Sequence, residues 1–157
     1  MTNITFHGID PAQLRDVLAG GIDQGGNPIE PFIDEEGGWP MRCCLSDSLP
    51  GEEIAIIAWS PFEWDGPYRE TGPIVVHTKG CAASWRLPAL PDEFDQRPMT
   101  LRPYGEEHRI LYELVTSVER DAGLNAAVGA LLEHPEVAEV YGRNVRGGCF
   151  AFVARRA

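Results

Sequence analysis

Lysine is nearly missing from this chain of 157 residues. Lys79 stands alone against twelve arginines, and 24 acids bring the formal net charge to −11. That balance excludes general binding to a phosphate backbone, which needs Lys and Arg clustered over a broad face. No apolar run approaches the roughly 18 residues of a membrane span, and the opening MTNITFHGIDPAQL lacks the basic and apolar regions of a secretory signal. The expectation is a cytoplasmic protein with neither nucleic acid nor membrane as partner. Cysteine is scarce too: the four present include no C-x2-C pair. They are too few for a disulfide scaffold, and in a reducing compartment they stay thiols, bind metal or react. G-x-G-x-x-G, the Walker loop, G-x-S-x-G, H-E-x-x-H and D-x-D-x-D-G are all absent, so the common nucleotide, hydrolase, zincin and calcium-loop classes lose support. No internal repeat or low-complexity tract occurs.

What is present describes one domain, residues 1–157, long enough to bury roughly 68–70 % of its unfolded surface without staples. Its charge is polarised. Residues 1–78 hold thirteen acids against Arg15, Arg42 and Arg69, whereas Val140–Ala157 holds four arginines and no acid. Arginine suits bidentate contacts to carboxylate or phosphate, which makes this last stretch a candidate site for a small anion. A solvated edge strand whose charges discourage aggregation is the alternative.

Asp10 as cap, Pro11 at the first position and Gln13 three residues after the cap open a helix that buries Leu14, Val17 and Leu18 and stops at Ala19–Gly21. The Gly, Pro and acidic residues of IDQGGNPIEPFIDEEGGWP predict a long surface connection. EIAIIAWSP and GPIVVH read as strands of a wide hairpin. SWRLPALPDEFDQRPM reads as a covering segment, and TLRPY and RILYELVTSV as paired strands around Gly105. Leu124, Ala127, Val128, Leu131 and Leu132 repeat at helical spacing before Pro135, and VAEVYGRN with CFAFVAR closes a final hairpin. The fold class expected is α+β, a mostly antiparallel sheet with two helices packed on it.

Five fragments stand out: PMRCCL, Gly51-Glu52 before a strand, Tyr68 followed by GPIVVH and Cys81, LRPY, and RNVRGGCF. Together, over about residues 40–156, they resemble an uncharacterised bacterial family, domain of unknown function 1203. The resemblance implies domain extent and marks Arg42, Cys44, His77, Cys81, Arg102, Arg143, Arg146, Gly148 and Cys149, without supplying a reaction. Cys43 lies outside its pattern.

If Arg143 pairs with Cys149 across the five-residue loop NVRGG, Tyr141, Arg143 and Cys149 share one face, while Ala138, Val140, Phe150 and Phe152 form the core face. A thiol beside guanidinium groups is a candidate nucleophile, and Gly147 and Gly148 allow a turn whose N–H groups cradle an anion. A packed thiol and a plain bulge explain the same residues. The binding set is therefore Arg143, Arg146, Gly147 and Gly148, with the marked Arg102 and Arg42, and the reactive candidates are Cys149 and His77. No cofactor and no metal are expected. A Cys3His zinc site of Cys44, His77, Cys81 and Cys149 is the metal alternative. The acids of DEEGG and GEE read as solvated loop faces, and Trp39, Trp59, Trp64 and Trp85 as pocket or core. The function expected is binding of a small anionic molecule at this hairpin. The competing expectation is a non-enzymatic interaction module that meets an acidic partner or another copy through an exposed edge carrying Arg155 and Arg156.

Overall fold

Both faces of the last hairpin are apolar, and this sets the architecture. The structure, a computed structural model, describes residues 2–81 and 84–157. Nine strands are present among them: β1 (Ile4–His7), β2 (Phe32–Asp34), β3 (Glu52–Trp59), β4 (Gly72–His77), β5 (Arg86–Leu87), β6 (Met99–Tyr104), β7 (Thr116–Val118), β8 (Glu139–Asn144) and β9 (Phe150–Arg156). They form a six-stranded antiparallel sheet, β5-β1-β9-β8-β6-β7, and a three-stranded one, β2-β3-β4. On one side of the large sheet, helix α3 (Leu124–Glu133) lays Leu124, Val128 and Leu132 against Leu101, Val140, Phe152 and Ala154. On the other, the small sheet and helix α1 (Pro11–Gly20) pack Ile54, Ile57, Val76 and Leu14 against Tyr104, Tyr141, Phe150 and Val153. The expected α+β class is observed, with a four-residue helix α2 (Asp92–Asp95) added. No helix among the described residues is long and apolar enough to cross a membrane.

Local chemistry placed the main elements. Asp10 caps α1 by accepting from Ala12 N at 2.8 Å, and Gly21 ends it at φ 71°, where a side chain would be strained. β3 and β4 pair in register from Ile54–His77 to Trp59–Gly72, the wide hairpin the sequence suggests.

Five expectations need correction. The acidic connection after α1 contains β2, and two of its carboxylates are buried. Asp23 accepts from Gly25 N, Asn27 N and Ala58 N, and Asp34 accepts from Ser48 Oγ and Gly37 N, so each organises a turn instead of facing solvent. The proline-rich segment does more than cover a surface: β5 pairs with β1, and Phe94 of α2 is fully buried beside Leu90. RILYELVTSV yields only β7, because Tyr112–Leu114 takes a 3-10 turn first.

The final hairpin shifts register between Gly142 and Arg143, so Arg143 pairs with Phe150 and not Cys149. The slip turns Phe150 onto the Tyr141 and Val153 face. A Cβ on Gly142 would lie 2.4 Å from the Phe152 ring, which explains why glycine stands at the bulge. β9 runs inside the sheet between β1 and β8, so Arg155 and Arg156 are not on an open edge. Arg155 holds Glu139 at 2.6 Å, and Arg156 donates to the Leu132 carbonyl at the end of α3.

Candidate functional site

Two constellations carry chemistry, one at the turn of the last hairpin and one where β4 ends. The first is built by the turn itself. Asn144 N donates to Cys149 O and Gly148 N to Asn144 O, with Gly148 at φ 68°. Arg143 is buried at 7 % exposure and donates through Nη1 to Gly148 O at 3.0 Å and through Nη2 to Glu70 Oε1 at 3.2 Å. Its Nε has no hydrogen-bond partner among the described residues. Arg102, from the adjoining β6, reaches the same Glu70 oxygen at 2.6 Å.

Behind the turn lies Arg42, 3 % exposed, which among the described residues donates only to backbone carbonyls: Nε to Phe150 O at 2.6 Å and Nη1 to Pro40 O. Burial pulls its guanidinium down to about 10, a loss that the nearby Cys149 opposes and Arg97 reinforces. A cavity of about 190 Å³ opens here, lined by Arg143, Gly147, Gly148, Cys149, Glu70 and Trp59 among others. Cys149 is half-buried at its wall. Arg146 is not among the residues that line this cavity and is exposed.

The second constellation joins parts of the chain far apart in sequence. The turn after Pro40 holds Cys43 and Cys44, both buried, while β4 delivers His77 at its end and Gly80, at φ 86°, turns the chain to Cys81. One ligand atom from each of Cys43, Cys44, His77 and Cys81 lies within 4.8 Å of the others. His77 Nδ1 is 3.2 Å from Cys43 Sγ, and its Nε2 meets the Glu52 carboxylate at the start of β3. The hydrogen bond from Cys43 is the main cause that draws the Cys44 thiol down to about 4, assisted by His77 and opposed by burial. The same Cys44 contact pushes Cys43 up and, foremost among its causes, raises the His77 imidazole. A cavity of about 590 Å³ runs from Cys43, His77 and Cys81 along Leu14 and Leu18 of α1.

The sequence-derived candidates are thus divided between two places. Arg102, Arg143, Gly147, Gly148 and Cys149 gather at the hairpin cavity or its clamp, with Arg42 behind. His77 belongs to the thiol cluster, so it is not brought to Cys149 as a base would be to a nucleophile. Of the alternative metal set, Cys44, His77 and Cys81 meet, Cys149 stands apart, and Cys43 takes the fourth place. Sequence reasoning set Cys43 outside the family pattern and read Glu52 and Glu53 as a solvated loop face, whereas both acids open β3, Glu52 against His77 and Glu53 accepting from Thr78 Oγ1. The signals for Cys43 and Glu52 were the cysteine adjacent to a marked one and the Gly51-Glu52 pair at a strand start. The tryptophans separate as well: Trp59 and Trp85 line a third cavity of about 550 Å³, Trp64 stacks on His108, and Trp39 meets Phe32 at the surface.

Comparison with known proteins places the chain in one family. It belongs to the family described as "Protein of unknown function (DUF1203)", which matches residues 38–156 and so includes both constellations. No curated protein and no solved structure matches it.

Proposed function

We propose that this member of a family without an assigned reaction binds a small anionic molecule, a carboxylate or phosphate, in the cavity at the Asn144–Cys149 turn. The observation that carries the reading is a shortage of negative charge. Two buried guanidiniums, Arg42 and Arg143, flank the turn, and among the described residues Glu70 Oε1 is the single carboxylate oxygen bonded to Arg143, shared with Arg102. Burying a cation without a full complement of acceptors is costly, so an anion entering here gains charge-assisted hydrogen bonds from groups already in place. Arg143 Nε is an unused donor, and about 190 Å³ holds a small acid but not a nucleotide. Glu70 lies on the loop between β3 and β4 and is 46 % exposed at its side chain, so it can be displaced and serves as the internal stand-in for the ligand. Cys149 on the cavity wall is the group that would react with a bound electrophile. Free thiols suit a reducing cytoplasm.

Calorimetry and thermal shifts with inorganic phosphate, oxalate and succinate test the reading. Ligand at tenfold its Kd stabilises by about 1.4 kcal/mol. Glu70→Gln, which vacates the clamp, is expected to bind more tightly than the native chain, and Arg102→Gln more weakly. Silence of both the native chain and Glu70→Gln toward all three anions overturns the proposal.

A second reading, self-association, has one observation in its favour. Strand β2 is an edge of the small sheet, with Phe32, Ile33 and the neighbouring Trp39 and Leu49 exposed. Open apolar edges pair with other edges. The occupant it names is a second copy, and light scattering that finds only monomer at low and high salt removes it.

A further inference from the structure

The geometry points to a second, independent site: Cys43, Cys44, Cys81 and His77 form a Cys3His centre for one zinc ion. The donor set fixes the class of metal. Three thiols and an imidazole are soft and borderline ligands that suit zinc and do not suit calcium or magnesium, which take oxygen. The spacing fits as well. A tetrahedral ion with Zn–S of about 2.3 Å and Zn–N of about 2.0 Å separates its donors by roughly 3.5–3.8 Å. These four already lie within 4.8 Å of one another, two of them on buried cysteines. Closing the shell takes movements of about 1 Å, within the reach of small χ changes.

The histidine supplies the observation that a chance gathering of thiols would not. Its Nε2 is engaged by the Glu52 carboxylate, while Nδ1 faces the sulfurs, 3.2 Å from Cys43 Sγ. A carboxylate on one ring nitrogen holds the proton there and leaves the lone pair of the other for the metal, the arrangement that orients ligating histidines. Glu52 is thus a positioning residue, the first residue of β3, while His77 is the last of the neighbouring β4.

Four protein ligands make a closed shell with no open position, which marks a structural ion. It would tie the turn after Pro40 to the end of β4, 34 residues away from Cys43. That turn also carries Arg42, which donates to the carbonyl of Phe150 in the lining of the hairpin cavity, so the ion would steady that wall through the neighbouring residue. The cavity along α1 gives the ion its entry path.

The full-length chain, purified under reducing conditions without a histidine tag, is expected to carry one zinc per chain by inductively coupled plasma mass spectrometry. After stripping by chelator, one equivalent of Co2+ should give thiolate-to-cobalt charge-transfer bands and tetrahedral ligand-field bands. Cys44→Ser and Cys81→Ser should lose that spectrum, and Cys149→Ser should keep it. Glu52→Gln retains every ligand and tests the site even where ligand variants do not fold: it should weaken Zn2+ by about 10–100-fold in chelator competition with an unchanged circular dichroism spectrum. Failure of the reduced chain to bind either metal at one equivalent overturns the inference. So does an octahedral cobalt spectrum, or binding that Cys44→Ser and Cys81→Ser leave intact.

Discussion

Glu70 offers one carboxylate oxygen, Oε1, to two arginines from adjacent strands, Arg102 at 2.6 Å and Arg143 at 3.2 Å. The two bonds differ in worth. Arg102 is 27 % exposed at its side chain and can turn to water, whereas Arg143 is 9 % exposed and cannot. Removing the carboxylate therefore leaves an under-satisfied buried cation. Glu70→Ala is expected to cost about 1–3 kcal/mol, read as a lower urea midpoint at unchanged slope. Added phosphate should restore part of the loss. A variant as stable as the native chain would show that water already satisfies Arg143.

Gly142 and Gly8 are the positions where a single methyl group should do most harm. A Cβ on Gly142 meets the Phe152 ring at 2.4 Å, and one on Gly8 meets the Arg42 carbonyl oxygen at 2.3 Å. The ring can tilt within its packing, but the carbonyl accepts from Ile9 N and is fixed. Gly142→Ala is expected to cost about 1–3 kcal/mol by overpacking. Gly8→Ala should cost at least as much and loosen the turn that holds Cys43 and Cys44. Denaturation midpoints measure both, and a neutral Gly8→Ala would mean that the strand and the turn can slide apart freely.

How far the sequence disclosed this arrangement depends on the range of the forces involved. Helices α1 and α3 and strands β3 and β4 were legible because a cap, a glycine stop or a regular apolar spacing declares each of them locally. β2 and β5 were not, since they have three and two residues and borrow their conformation from the neighbours that pair with them. Alternation misled at the last hairpin because α3 covers one face and the small sheet the other. With both faces dry, the pattern carries no in-or-out signal, and the bulge at Gly142 reverses it for Phe150. The arginine cavity was half visible: an acid-free stretch announced it, but Glu70, 73 residues before Arg143, did not. The thiol cluster was least visible. Its ligands stand as an adjacent pair and a His-x3-Cys, and only the β3–β4 pairing brings Glu52 beside His77.

Acid should destabilise the fold through His7. Burial, then Arg155 and Arg86, hold its imidazole down at about 4, with Glu139 opposing them. Between roughly pH 6.5 and 4 the unfolded chain takes up a proton at this residue that the native chain refuses, so stability falls as pH falls through that window. The loss is complete below about 4, where both states are charged. His7→Gln removes the titration: its stability difference from the native chain should shift in favour of the variant on going from pH 7.5 to 4.5. Urea midpoints at the two values check the sign. A constant difference would place the folded imidazole at its ordinary value.

Cys149 separates a functional hairpin from a merely packed one. It is half-buried on the cavity wall and its Sγ makes a long contact, 3.8 Å, to Gly147 O, whereas Cys43 and Cys44 are buried. Alkylation needs access and a thiolate. In native protein, iodoacetamide followed by peptide mapping is expected to mark Cys149 well before Cys43 or Cys44. Phosphate or a small dicarboxylate seated against Arg143 would block the approach, so the rate at Cys149 should fall as anion is added while the denatured rate stays constant. Chloride at the same ionic strength controls for screening of charge. Anion protection that persists in Cys81→Ser but disappears in Arg102→Gln locates the effect at the hairpin. Labelling of Cys149 that no anion slows would leave an accessible thiol beside an arginine cluster that serves only to clamp Glu70.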